Sequence, residues 1–263
     1  LSDALVGGVH TGEGNTVVGN KGFGIMAATY TLATVPTSLS PSNVAILGNK
    51  IYETATDPLN VWGIDAGLGI ELAEIIDNTG DYLPDASAQG GVTANDAGDA
   101  DTGVNEFINF PVLSSVVQDG SSAAVKFNLD AAGSPESQYR VEFFANDASD
   151  PSNHGEGQVY LGALTVASGS GQQGSFTLPT GVNLAGKFIS ATTTALNTST
   201  PSGFGSTSEF SENILATVKG SLANTGINQM AIVFIATATL PMAYLGFKFV
   251  HRYLKATSWK MPV

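Results

Sequence analysis

The feature that most constrains this chain is the spacing of apolar runs in its second half. Segments 112–117, 123–129, 138–145, 158–166, 174–178, 186–194 and 207–214 alternate apolar with polar residues and are rich in Val, Phe, Thr and Tyr. Clusters of Pro, Gly, Asn and Ser separate them. A period of two puts alternate side chains on opposite faces of a strand. Seven such runs, spaced by turn residues, predict an all-β sandwich of about seven strands. Val141, Phe143, Tyr160, Leu161, Phe176, Phe188 and Ile189 are the candidates for its core.

The first 76 residues read differently. GNTVVGNKGFGI (14–25), SNVAILGNKIYE (42–53) and GLGIEL (67–72) are short apolar stretches closed by Gly or Gly-Asn. Gly and Asn accept positive φ, so each stretch predicts a short strand followed by a tight turn. The pattern Asn-x-[Val/Ala]-[Val/Ile]-x-Gly-Asn recurs loosely at an offset near 28, from Asn15 to Asn43 and from Gly19-Asn20 to Gly48-Asn49. Repeats of that size predict a stacked solenoid. These steps resemble the last rungs of a right-handed parallel β-helix. Val17, Ile25, Val44, Ile46, Ile51, Ile64 and Ile70 are expected to point inward, and Asn20 and Asn49 to sit at corners. Residues 28–42 and 54–62 are expected to loop out.

Between the two regions lies GVTANDAGDADTGVN, residues 91–105. Asn95, Asp96, Asp99, Asp101 and Asn105 offer hard oxygen donors at short, mostly alternate spacing, with Gly98 and Gly103 letting the chain wrap. Calcium takes six to eight oxygens of this kind. Asp and Asn also cap turns through their own backbone, so Asx turns explain the same composition. The series GLGIEL … GGVTANDAGDADTGVNEFINFPVLSSV resembles the junction of large bacterial β-helix surface proteins, where it closes the helix and opens an immunoglobulin-like sandwich. The resemblance continues through YRVEFFANDASDPSNHGEGQVYLGALTV (139–166), GSFTLP (174–179), GKFISATTT (186–194) and STSEFSENI (206–214). It implies cysteines at positions that here hold Ser149 and Asn213, so any staple between them is gone. Phe107, Ile108 and Phe110 are the apolar residues expected at the joint.

Charge divides the chain again. Ahead of Ile227 stand 23 acidic and six basic residues, and after it four basic and no acidic ones. So acidic a surface repels phosphates and argues against nucleic acid as a partner. Residues 230–247, MAIVFIATATLPMAYLGF, carry no charge, and with their flanks reach the length that crosses a bilayer core. A basic cluster, KFVHRYLK, follows, which places the tail in the cytoplasm and residues 1–225 outside. Just upstream, Leu222, Ala223, Asn224, Thr225 and Gly226 resemble the LPxTG cell-wall sorting signal of Gram-positive surface proteins, with Ala223 where that family has Pro. The resemblance implies cleavage between Thr225 and Gly226 by a sortase and attachment to the wall. An uncleaved single-pass anchor fits the same residues.

The fold expected is therefore all-β: the end of a right-handed parallel β-helix (1–76), an Asp/Gly-rich junction (77–110) and an immunoglobulin-like β-sandwich (111–215). A linker with the LANTG motif (216–226), a transmembrane α-helix with its basic flank (227–256) and a cytoplasmic tail (257–263) complete it. The N-terminus has no basic or apolar leader, and the chain reads as the C-terminal part of something longer. It has no Cys, hence no disulfide and no thiolate zinc site. His10, His154 and His251 stand alone and suggest solvated side chains rather than catalysis. A β-helix lyase would need a basic group near its calcium, yet the arginines are Arg140 and Arg252 alone, both outside the β-helix region. Asp65, Glu71 and Glu74 could pose as a carboxylate pair for glycoside hydrolysis, but they are expected at a rung edge and in the connection to the sandwich. The function expected is the stalk and anchor of an adhesin-like surface protein that is not an enzyme, with calcium as its cofactor and an extracellular glycan or protein as ligand. A structural envelope or surface-array subunit is the alternative. A polysaccharide-degrading enzyme with its active site upstream is the more remote one.

Overall fold

The structure is a computed structural model. It describes residues 2–32, 40–54, 67–77, 87–89, 91–133 and 135–220. The LANTG motif, the apolar segment 227–250, Trp62, Ile64 and Asp65 lie outside these residues. The described chain is all-β, and none of its helices is long and apolar enough to cross a membrane. Residues 1–219 form one compact unit.

Its first half is a parallel stack. Strands β1 (Leu5–Gly7), β2 (Thr16–Val18) and β3 (Ile25–Leu32) form one turn; β4 (Ala45–Leu47), β5 (Lys50–Tyr52) and β6 (Ile70–Asp77) form the next. Each strand pairs in parallel with the one three places later: Leu5 opposite Ala45, Thr16 opposite Lys50, Ile25 opposite Ile70. The true offset is thus 40, 34 and 45 residues along the three faces, which corrects the expected 28. The reason is unequal corners. Gly48-Asn49 alone joins β4 to β5, whereas eight residues, 8–15, join β1 to β2. The matching positions are Asp3 with Asn43, both at positive φ and hydrogen-bonded, and Asn15 with Asn49. Asn49 Oδ1 accepts from the Asn15 N–H and amide, and its own amide donates to Val6 O. Asn49 is therefore the corner residue expected, but its partner is Asn15 rather than Asn20.

Inside the stack, Val44, Ile46, Ile51 and Ile70 are buried, with Val17 and Ile25 packed against them, as the apolar pattern predicts. What closes this core comes from elsewhere: Phe144, Phe210 and Tyr160 of the second half. Phe144 sits edge-on to both, at centroid distances of 5.4 and 5.7 Å.

After β6, β7 (Ser87–Gln89) pairs antiparallel with its later half. A turn at Val104–Phe107 leads into nine further strands. Strands β8 (Val112–Asp119), β9 (Ser122–Leu129) and β12 (Gly169–Thr177) make one sheet, with β16 (Thr217–Val218) parallel on β8. Strands β10 (Tyr139–Asn146), β11 (Val159–Val166), β13 (Phe188–Leu196), β14 (Phe204–Thr207) and β15 (Ile214–Leu215) make the other. Val116, Val125 and Phe127 from the first sheet pack with Val141, Phe143, Leu161 and Ile189 from the second. Phe176 packs at the margin of this core, stacked on Phe143. Tyr160 turns instead to the stack, and Phe188 lies half-buried outside the core.

Burial differs between the two sheets. Strand β9 alternates buried and exposed, as one solvated face requires. Strands β10 and β13 are buried almost throughout, because their second face lies against the stack. The expected strand 207–214 is broken for the same reason. Thr207 N donates to Val44 O of the stack, and Ser208 and Ser211 bridge to β13 through their hydroxyls, which accept from the N–H groups of Thr193 and Ala191. This detour turns Glu209 and Phe210 toward the stack. Ser149 and Asn213 are in contact, through a weak 3.3 Å hydrogen bond.

The seam also supplies partners for the outer edge of β4, β5 and β6. Asn105 Oδ1 accepts from Val44 N, Thr207 Oγ1 from Ile46 N, and Glu142 Oε2 from Gly48 N. Ile51 and Gly157 exchange two backbone hydrogen bonds. The Glu156 carboxylate accepts from Glu53 N and Thr54 N, and Glu209 Oε1 from Leu72 N. Asn105 is fully buried and its amide also donates to Val44 O and Thr207 O. Replacing it by Ala takes this partner from Val44 N and Thr207 O in a dry seam, while Val44 O keeps its bond from Thr207 N. At about 1–3 kcal/mol per buried unsatisfied group, Asn105→Ala is expected to lower unfolding free energy by about 3 kcal/mol, measured by urea titration.

Candidate metal centre

The loop that carries the acidic residues is set by its backbone. Gly98 and Asp99 adopt positive φ, and Asn105, Glu106 and Phe107 do so in succession. Such a left-handed run is unfavourable for L-residues, and here it places the Asn105 amide on the stack and the Phe107 ring over Gly103. A Cβ at Gly103 would lie 2.1 Å from Phe107 Cε2, so only Gly fits. Phe107 packs with Ala27, Leu72 and Val104, Ile108 enters the sandwich core, and Phe110 meets His154 edge-on at 5.0 Å. The three apolar residues expected at the joint are indeed there. His154 is not the solvated side chain expected: its ring is largely covered and its Nδ1 lies 3.1 Å from Phe210 O.

The structure brings three of the five predicted ligands together. Carboxylate oxygens of Asp96, Asp99 and Asp101 lie within 4.8 Å of one another. The other two are engaged elsewhere. Asn95 pairs its amide reciprocally with the backbone of Phe110, at 2.8 and 3.0 Å. Asn105 is committed to the stack, as described. Two residues missed in the sequence hold the loop down. Asn109 accepts from Asp96 N and donates to the carbonyls of Asp96 and Asp130. Asp130 Oδ2 accepts from Gly98 N. A polar residue between the apolar Ile108 and Phe110 was the available signal for Asn109.

Both readings of the loop have support. Asp96 accepts from Ala100 N in an Asx-type turn, and Asp99 Oδ1 accepts from Asn109 N at 2.8 Å. Asp101 Oδ1, however, is buried without a hydrogen-bond partner. Among the described residues no Lys, Arg or His forms an ion pair with the cluster. Burial pushes Asp99 up to about 6; the Asn109 N–H offsets part of this, and the charges of Asp101, Asp96 and Glu106 add to it. Asp101 is also raised, by burial first and by Asp96 second. A hard divalent cation suits such a donor set: three carboxylates, one with an orphaned oxygen, in a site that lacks positive charge. Asp96, Asp99 and Asp101 would hold it.

A carboxyl whose folded pKa is raised contributes stability below its unfolded value, and that contribution is lost as pH climbs through the folded one. For Asp99 the window runs from the ordinary 3.8 to about 6. In EDTA, Asp99→Asn keeps the Oδ1 acceptor and removes the charge. It is expected to melt a few degrees above the wild type at pH 8, with the difference gone at pH 4.

No family model and no curated protein matches the chain.

Proposed function

We propose that this chain is the stalk and anchor region of a bacterial cell-surface protein. In this reading the parallel stack is the end of a right-handed parallel β-helix and the two-sheet unit an immunoglobulin-like domain that terminates it. Residues 227–250 cross the membrane, and residues 1–225 lie outside. The observation that carries the reading is the use made of the second sheet. One whole face of β10 and β13 is buried on the stack, and Glu142, Glu156, Thr207 and Glu209 supply acceptors to its last turn. A domain committed in this way is a terminator and a spacer.

Other features agree. Arg140, the one arginine among the described residues, is bound to Glu142 and Tyr160 and not free for proton abstraction. Glu71 is fully buried, so it makes no open carboxylate pair with Glu74. We therefore read the chain as non-catalytic, with any glycan or protein ligand bound away from these residues. Leu222, Ala223, Asn224, Thr225 and Gly226 follow the compact unit directly, where a sortase substrate or an uncleaved tether would begin.

Topology tests the anchor. Protease added to intact cells expressing the chain should remove residues upstream of 220 and spare a C-terminal tag; a digested tag with a protected N-terminal part rejects the reading. Wall-linked material that ends at Thr225 identifies sortase processing, and membrane-extracted full-length chain identifies the uncleaved anchor.

We further propose that Asp96, Asp99 and Asp101 bind calcium and stiffen the joint. Binding to the native state alone raises a melting midpoint by mass action. Millimolar calcium should raise the midpoint of the intact chain by several degrees over EDTA, and Asp99→Ala/Asp101→Ala should abolish the rise. An equal rise in the double variant makes the loop a hydrogen-bonded turn only.

A further inference from the structure

A second pair of carboxylates lies across the same seam, away from the aspartate cluster. Glu71, on β6, is 0% exposed, and Glu209, in the detour after β14, is 2% exposed. They come from opposite sides of the seam: Glu209 binds the N–H of Leu72, the residue next to Glu71, and its charge reaches Glu71. Glu209 is well supplied with donors: Leu72 N at 3.0 Å and Thr93 N at 2.9 Å, with Thr93 Oγ1 at 3.4 Å. Glu71 has one, Gly91 N at 2.9 Å on Oε1, and its Oε2 is buried without a partner. Two full charges in so dry a place, with a bare oxygen on one of them, are far costlier than one charge and one neutral acid.

Among the described residues no cation is paired with either carboxylate. The titratable groups on β6 and on the turn packed against it are all acidic: Glu74 and Asp77 further along β6 and Glu106 in the left-handed turn. Strand β3 places Met26 opposite Glu71, and segment 91–93 and β7 carry no ionisable side chain. Glu212, three residues beyond Glu209, faces His154 at 4.0 Å.

We propose that Glu71 and Glu209 form a proton-held latch between stack and sandwich: a proton resident on Glu71 keeps the joint closed, and its loss to solvent loosens the joint. The donor count fits this assignment, since the carboxylate with three donors keeps the charge and the one with a bare oxygen keeps the proton. Burial first, and the charge of Glu209 second, push Glu71 up to about 8 against the Gly91 N–H. Burial pushes Glu209 up to about 7 against its donors from Leu72 and Thr93. Both shifts are upward from the ordinary 4.5, so the latch contributes its full stability below about pH 4.5, loses it progressively as pH climbs, and has lost it all above about 8.

The test uses the intact chain in mild detergent with EDTA, so that the aspartate cluster stays metal-free. Urea titrations at pH 7 and pH 9 should show the wild-type unfolding equilibrium shift toward unfolding by roughly tenfold or more, one bound proton per pH unit being a factor of ten. Glu71→Gln, which places an amide where the acid O–H stood, should remove most of that shift. Glu74→Gln should retain it. Glu71→Gln titrating in parallel with the wild type overturns the latch. A second measurement covers a variant that does not fold. In wild-type chain labelled with carboxyl-13C glutamate, one resonance should titrate above pH 7. Complete titration of every glutamate below about pH 5.5, near the ordinary range, overturns the proposal as well.

Discussion

A parallel stack must end, and its last turn presents a row of backbone N–H and C=O groups with no further strand to meet them. An open edge of this kind is a liability for any β protein, and a buried polar group left unpaired is costlier still. Most of this molecule follows from the way that edge is satisfied. Apart from β7 on the later half of β6, the cap is not another strand. It is a set of side-chain acceptors and one short backbone exchange, delivered by a neighbouring sheet to β4, β5 and β6 in turn. To reach them, the sheet gives up its solvent face, and its chain leaves regular pairing at 208–213.

The acidity of the seam follows from the same constraint. The groups to be satisfied are mainly donors, and Asp and Glu are the side chains that accept most strongly. Carboxylates are therefore drawn into places where burial opposes their charge. Glu142 is relieved by Arg140 and Gly48 N, although burial still raises it overall. Glu209 is relieved by two backbone N–H groups and the Thr93 hydroxyl, and Glu71 scarcely at all. The aspartate cluster shows the same conflict at the rim. There the two physical remedies are a proton and a cation, and the two carboxylate sites of the joint differ in which remedy their access to solvent allows.

Much of this architecture was legible in the residues. Six of the seven sandwich strands lie close to where alternation places them, because each has one apolar face in a conventional core. The inward residues of the stack were legible as well: Val44, Ile46, Ile51 and Ile70 are apolar for the ordinary reason. The offset was not, since the corners differ in length and a fixed-period search aligns Asn20 with Asn49 where the fold aligns Asn15. Phe144 and Tyr160 read as sandwich residues; only the docked stack explains aromatic side chains on a face that would otherwise meet water. Three aspartates converge as their spacing suggested. Asn95 and Asn105 also offer an oxygen, but their amides both donate to and accept from the backbone, and spacing alone does not separate a metal ligand from a backbone partner.

Strand β16 ends the compact unit, and it runs parallel to β8, the strand with which the sandwich begins. Thr217 and Val218 lie opposite Val117 and Gln118, Lys219 N donates to Gln118 O, and Lys219 Nζ meets Asp119 at 2.8 Å. Tension applied between the start of β8 and the chain beyond Lys219 therefore pulls the two strands past each other along their length. The hydrogen bonds are loaded together in shear and do not peel one at a time. A pull on the chain beyond Lys219 therefore meets its first mechanical resistance at this short parallel clasp.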